Sequence, residues 1–390
     1  MLLMIRSSLN SLLSYVEDEN YCGYDPYDTL NSWVPFHWLG KWGPVLATQF
    51  QKRNPLNLRP LLGIPKERNP KGIGLFLHGY SLLYARDPQP VYLKRIDELL
   101  IWLKANTARG YSGPCWGYNF AWAGPAKTIP AYTPSAVVTG FISRGLHACY
   151  EATGDPRASE MLLGATRFVL DHLARYEDES GVCFSYTPVM QDACYNASLL
   201  AAEVLARADA VGGTYGNRTL VEQAIRFVLR RQKPDGHWKY SLDLATGQER
   251  TQTDFHQGYV LESLHDLLAM TGVRIEGAHE AIDHGLVFYR HAQFFDDGRS
   301  KWRLPKVRPV EIHNQAQGII TFSRLLDYSS SDPPFAVHIA EWAIRNMQSS
   351  DGHFYYQKRK AYTIRISYMR WSNAWMFLAL SGLSHAASYD

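Results

Sequence analysis

The sequence predicts an all-α protein in which six helical hairpins close into one ring spanning residues 1–390. Three observations predict it. Six small residues, Gly74, Ala136, Ala197, Gly258, Ala316 and Ala374, each open an apolar helical run after a turn-rich stretch, at intervals of 62, 61, 61, 58 and 58. Each run leads through a turn to a second segment with apolar residues at i, i+3, i+4 and i+7, the amphipathic helix pattern. The phrase QKPDGHW at 232–238 returns as QSSDGHF at 348–354, two units of 58 later. Such a period signals tandem units, and one hairpin cannot bury its own apolar face, so neighbours must stack. Six hairpins can close on themselves, and a small residue on each inner helix lets the helices crowd at the centre.

The elements follow in order. The N-terminal MLLMIRSSLNSLLSYVEDEN places Ile5, Leu9, Leu12, Leu13 and Val16 at helical spacing. It lacks a long apolar core and a small-residue cleavage site, which predicts an amphipathic helix rather than a signal peptide. With no run of 18 apolar residues, no membrane span is expected, and the expected location is cytoplasmic. IPKERNPKG at 64–72 reads as a solvated loop. Inner helices such as SLLAAEVLARADA and GYVLESLHDLLAMTG alternate with outer ones such as ASEMLLGATRFVLDHLARY, VEQAIRFVLRRQ, EAIDHGLVFYRHAQ and FAVHIAEWAIRNMQ. Turns at 153–156, 212–217, 271–273 and 329–334 join them. Short extended stretches, HWKYSL and HFYYQK, follow the Asp-Gly loops.

Composition narrows the function. The chain is 46% hydrophobic and 20% charged, hence globular. Aromatics reach 13%, with 11 Trp and 24 Tyr, and flat rings stack well on the apolar face of a pyranose. A net charge of +3 is too balanced for a nucleic-acid partner. The five cysteines, Cys22, Cys115, Cys149, Cys183 and Cys194, show no Cys-x-x-Cys and no zinc-ligand spacing with histidine, so free thiols and no metal are expected.

The layout resembles the (α/α)6 toroid of the six-hairpin glycosidase and polysaccharide-lyase superfamilies, over essentially the whole chain. QKPDGHW also resembles Gln-x-x-x-Gly-x-Trp, a loop motif of triterpene cyclases and related α/α-barrel proteins. That resemblance implies a structural part: Gln232 caps a helix end, Gly236 makes the turn and Trp238 packs on the neighbouring helix. The Asp-rich initiator and zinc ligands of cyclases and prenyltransferases are absent.

In such a ring the long loops and the N-termini of the inner helices form one mouth, where free N–H groups and the helix dipole suit anions. The segments before the small residues therefore become the candidate site. They offer Asp192, Tyr195, Asp254, His256, Glu311 and His313 for acid–base work, and Tyr132, Asn196, Gln257, Asn314, Gln315, Tyr368, Arg370, Trp371 and Asn373 for binding. CGYDPYDTLNSW adds the carboxylates Asp25 and Asp28 with Tyr24 and Tyr27. WGYNFAWAG adds Trp116, Tyr118 and Trp122 as a stacking platform. Arg365, Arg370 and Lys127 would hold an anionic sugar, since guanidinium pairs bidentately with carboxylate.

The fold resemblance implies a glycoside hydrolase first, acting on a poly- or oligosaccharide through two carboxylates. Here Asp25 or Asp28 would pair with Asp192, Asp254 or Glu311. The alternatives are a uronate-directed lyase or C5-epimerase using Tyr and His as base and acid, and a non-catalytic protein of glycan binding or polysaccharide biosynthesis. None of these readings calls for a cofactor.

Overall fold

A computed structural model describes residues 2–124 and 128–386. Its helices are α1 Leu2–Asp18, α2 Gly43–Arg53, α3 Pro70–Arg86, α4 Pro90–Ala105, α5 Ala136–Thr153, α6 Pro156–His172, α7 Tyr195–Gly212, α8 Arg218–Leu229, α9 His256–Thr271, α10 Ala278–Gln293, α11 Ile312–Arg324, α12 Pro333–Met347 and α13 Trp375–Ala386. α3, α5, α7, α9, α11 and α13 contact one another in that order, and α13 returns to α3, closing an inner ring. The outer ring is α4, α6, α8, α10, α12 and α1, the N-terminal helix serving as outer partner of α13.

Inner and outer helices differ as their sequences do. Every residue of α7 from Tyr195 to Ala208 is buried, whereas α8 buries one stripe, Val221, Ala224, Ile225, Phe227 and Val228. The small residues act at inner-helix crossings. A Cβ on Gly74 would lie 2.6 Å from Ile142 Cγ1, and one on Gly145 would lie 2.5 Å from the Gly74 carbonyl. About two turns below the N-termini a buried ion network fills the ring. Arg144 pairs with Glu203 at 2.6 Å and Glu262 at 3.0 Å, while Asp266 takes Arg207 at 2.6 Å and Arg324 at 2.8 Å.

The repeated loop proves to be a packing device wider than its two similar copies. Gln232 donates to the carbonyls of Gly236 at 2.9 Å and Ala281 at 2.7 Å, and the Trp238 indole donates to Val228 at 2.8 Å. Gly236 has φ +95°, and an added Cβ would sit 2.5 Å from the His284 carbonyl of α10. Gly113, Gly181, Gly298 and Gly352 meet the carbonyls of Gly164, Gln223, His338 and Ser11 in the same way, each on the next outer helix. His237 and His353 bond back to Asp235 and Asp351 of their own loops.

Short strands knit the mouth. β1 Trp122–Ala123 pairs with β2 Thr128–Ile129, and β3 Arg175–Asp178 with β4 Gly181–Phe184. β5 Ala193–Cys194, β6 Ser241–Leu242 and β7 Glu249–Arg250 form one sheet, and β8 Val310–Glu311, β9 Tyr355–Lys358 and β10 Thr363–Ser367 another. A π-helical turn, Met369–Ala374, precedes α13.

One expectation is corrected here. Residues 64–72 are not a solvated loop: Ile64, Asn69 and Lys71 are buried, and α3 begins at Pro70, capped by the Asn69 side chain. Pro at N1 after an Asn cap is a helix-start signal that overrides the local charge. Among the described residues no helix is long and apolar enough to cross a membrane, no His/Cys/Asp/Glu cluster could hold a metal, and all five cysteines are free.

Candidate active site

A cleft of about 660 Å³ opens where the inner helices begin. Each inner helix supplies its first turn to the wall: Lys71 from α3, Val137 from α5, Asn196 from α7, His256 and Tyr259 from α9, His313 and Asn314 from α11, and Arg370 and Trp371 from the π turn before α13.

Two imidazoles line it. His256 shares Nδ1 with Asp254 Oδ1 at 2.5 Å, which leaves Nε2 without a protein partner among the described residues. Asp254 is 3% exposed and also takes Gln252 at 2.8 Å and Arg303 at 3.4 Å. Burial alone would raise its pKa, but His256 and Arg303 outweigh burial and hold the carboxyl below the usual range. His313, on the neighbouring helix, meets the Tyr259 hydroxyl through Nε2 at 2.5 Å. Burial, aided by Lys71, Arg370 and His256, keeps His313 well below the ordinary histidine value and therefore neutral. Burial keeps the Tyr259 phenol protonated. The His256 and Tyr259 rings stand 5.5 Å apart on one face of α9, edge to face.

Aromatic and acidic groups complete the walls. Tyr118 and Phe120 stack at 5.0 Å, Tyr27 lies 6.2 Å beyond, and half-exposed Trp122 edges the opening. Glu311 accepts from Gln357 at 2.5 Å and from the Trp371 indole at 2.9 Å. Burial lifts its pKa above the usual carboxylate value. Asp192 accepts the Tyr186 amide at 2.7 Å. Cations outnumber these acids: Lys52, Arg53, Arg250, Lys306, Arg308 and Arg359 all line the cleft, and the charge of Lys52 acts on Glu311.

The expected site thus divides. Asp192, Asp254, His256, Glu311, His313, Tyr27, Tyr118, Trp122, Asn196, Asn314, Arg370 and Trp371 converge on the cleft. Others serve the scaffold, for legible reasons. Gln257 brackets the backbone of Trp238, Gln315 brackets Ser300 and Gly298, and Asn373 takes the Phe354 amide, so these side chains satisfy buried loop backbone instead of lining the cleft. Asp25 is clamped by Arg370 at 2.6 Å and Asp28 by Arg59 at 2.7 Å behind the cleft wall, with Tyr24 and Tyr368 beside them. Neither carboxylate is free to pair across a glycosidic bond. Trp116 is 1% exposed and bonds the Leu103 carbonyl, the part Trp238 plays in its own unit. Tyr195 turns to Glu249 at 2.7 Å. Tyr132 sits exposed outside the cleft lining, and Arg365 points outward between buried Ile364 and Ile366 of β10. Lys127 lies outside the described residues.

Sequence reading missed Lys71, Tyr259 and the cations of α2. Tyr259 was findable, since i+3 from His256 shares its helix face. Lys71 was concealed by the charged residues before it.

No protein-family model matches the chain, and no curated protein matches it by sequence. Solved structures do match. Cellobiose 2-epimerase from Bacillus thermoamylovorans is 12% identical with a TM-score of 0.62, covering 80% of this chain and 87% of its own. A GH76 α-mannanase from Bacteroides thetaiotaomicron is 12% identical at 0.62, covering 82% and 87%. A D-mannose isomerase is 11% identical at 0.61, covering 83% and 88%. The chain has the (α/α)6 toroid fold that these proteins share.

Proposed function

We propose that the protein is a carbohydrate-active enzyme that moves a proton at a carbon of an oligo- or polysaccharide, with His256 as base and Tyr259 as acid. The observation that carries this is the arrangement on α9. Asp254 orients the His256 imidazole through Nδ1, leaving Nε2 open. One helical turn on, Tyr259 holds its proton in contact with His313. The His256 and Tyr259 side chains rise from one face of α9. That favours transfer on one face of the sugar, as in isomerisation or syn elimination, over inversion. A protein of similar fold bears the name D-mannose isomerase, which fits such chemistry. The six cations along the cleft fit an acidic glycan.

Hydrolysis is the second reading. Glu311, with its raised pKa, has the property of a general acid, and Asp254 the property of a base. Against it, Asp254 is already engaged by His256, Gln252 and Arg303. Incubation with acidic oligosaccharides in deuterated water separates the two. Deuterium in recovered sugar, or an unsaturated product, lost in His256→Gln and Tyr259→Phe, supports proton transfer. New reducing ends without either signal support hydrolysis and defeat the first reading.

A further inference from the structure

Lys71 takes no part in the chemistry above, yet its position is unusual. It is the second residue of α3, 3% exposed, and lines the cleft floor. Its Nζ lies 4.1 Å from the Phe141 ring centroid, 5.1 Å from that of Trp375 and 5.7 Å from that of Tyr259. Nζ makes no hydrogen bond or ion pair with any described residue. Burial, then Arg370 and Arg144, depress its pKa far below the lysine range, while Asp25 pulls weakly the other way. A buried amine with no counter-charge is costly to keep charged unless a ligand supplies the anion. Arg370 stands beside it. Asp25 occupies Nε and Nη2 of that guanidinium, and Nη1 has no partner among the described residues. The positive end of the α3 dipole is directed to the same spot.

We infer that Lys71 and Arg370 seat the substrate's own carboxylate, so that the reacting sugar is a uronate. This rests on the proton-transfer reading and specifies its substrate. A carboxylate neutralised there acidifies the adjacent C5–H, next to His256. His256 takes that proton, the C–H electrons form the C4–C5 double bond, the C4–O bond breaks, and Tyr259 gives its proton to the leaving oxygen. Transfer of the proton gained by His256 back to the phenolate through solvent restores both groups, with no other reactant consumed. A sugar phosphate offers similar charge but does not acidify that C–H.

Calorimetric titration tests the seat without turnover. The probes are disaccharides ending in glucuronate, galacturonate or mannuronate, their neutral parents, and glucose 6-phosphate. At least one uronate should bind about tenfold or more tighter than its neutral parent, as expected for a charge-assisted hydrogen bond worth ~1.5–3 kcal/mol. Lys71→Met should erase that preference with the neutral sugar shifted less than about twofold, and Lys71→Arg should retain part of it. Unfolding curves confirm that the variants fold. The inference fails if the wild type shows no preference, if the preference survives Lys71→Met, in which case the rim cations carry it, or if glucose 6-phosphate binds best. An intact, Lys71-dependent preference with neither deuterium incorporation nor an unsaturated product would overturn the proton-transfer reading and leave the seat standing.

Discussion

Gln257 separates the scaffold from the site, and its substitution can be worked through. Its Oε1 accepts the Trp238 amide at 2.9 Å and its Nε2 donates to the Trp238 carbonyl at 2.5 Å, all at buried positions. Gln257→Ala leaves one donor and one acceptor unpaired in a site too tight for easy hydration. At ~1–3 kcal/mol for each buried orphan, the loss is about 2–6 kcal/mol. Unfolding entropy of ~2.1 cal/mol/K per residue over this chain gives roughly 0.8 kcal/mol/K, so Tm should fall by about 2–7 °C. The assay is thermal and urea unfolding beside substrate affinity in the folded range. A lower Tm with affinity retained is expected. An unchanged Tm with lost affinity would refute the clamp and return Gln257 to the binding surface.

Further predictions concern the loop, the ionisable core and the cleft wall. Gly236→Ala must hold φ +95° and a Cβ 2.5 Å from the His284 carbonyl, and should cost about 2 kcal/mol or more in urea titration. A loss under about 0.5 kcal/mol would show that the loop relaxes freely. Burial and Arg207 lower His147 to about 4, so between that value and the ordinary ~6.5 the unfolded chain binds a proton that the fold does not. Stability should fall as pH drops through this window, and His147→Gln should lose less of it than wild type. Equal losses would remove His147 as a contributor. Trp122→Ala should raise KM several-fold with little change in kcat, as expected for uniform binding by a stacking ring. A fall in kcat alone would place that ring at the reacting centre.

Residues legible from sequence and residues that were not differ in kind. Ile5, Leu9, Leu12 and Val16 are buried, as their spacing requires, because helix amphipathicity is written locally. The loop glycines were half legible. Asp-Gly-His exposed Gly236 and Gly352, but Gly113, Gly181 and Gly298 share with them only an approach to the next outer helix. That approach is a three-dimensional relation that leaves the flanking residues free to drift. Asp25 and Asp28 looked available because their guanidinium partners stand far along the chain, at Arg370 and Arg59.

The sequence by itself determined the ring: the period, the small residue at each crossing and the two classes of helix all follow from local patterns. Only the tertiary structure decided which mouth residues face the cleft. At a helix N-terminus each successive side chain turns by about 100°. His256 therefore enters the cleft while Gln257 turns to the Trp238 loop, and His313 enters while Gln315 turns to Ser300. One or two positions of rotation separate a group that faces the cleft from a structural tie. That rotation depends on how the helix is docked in the ring, which no local pattern records.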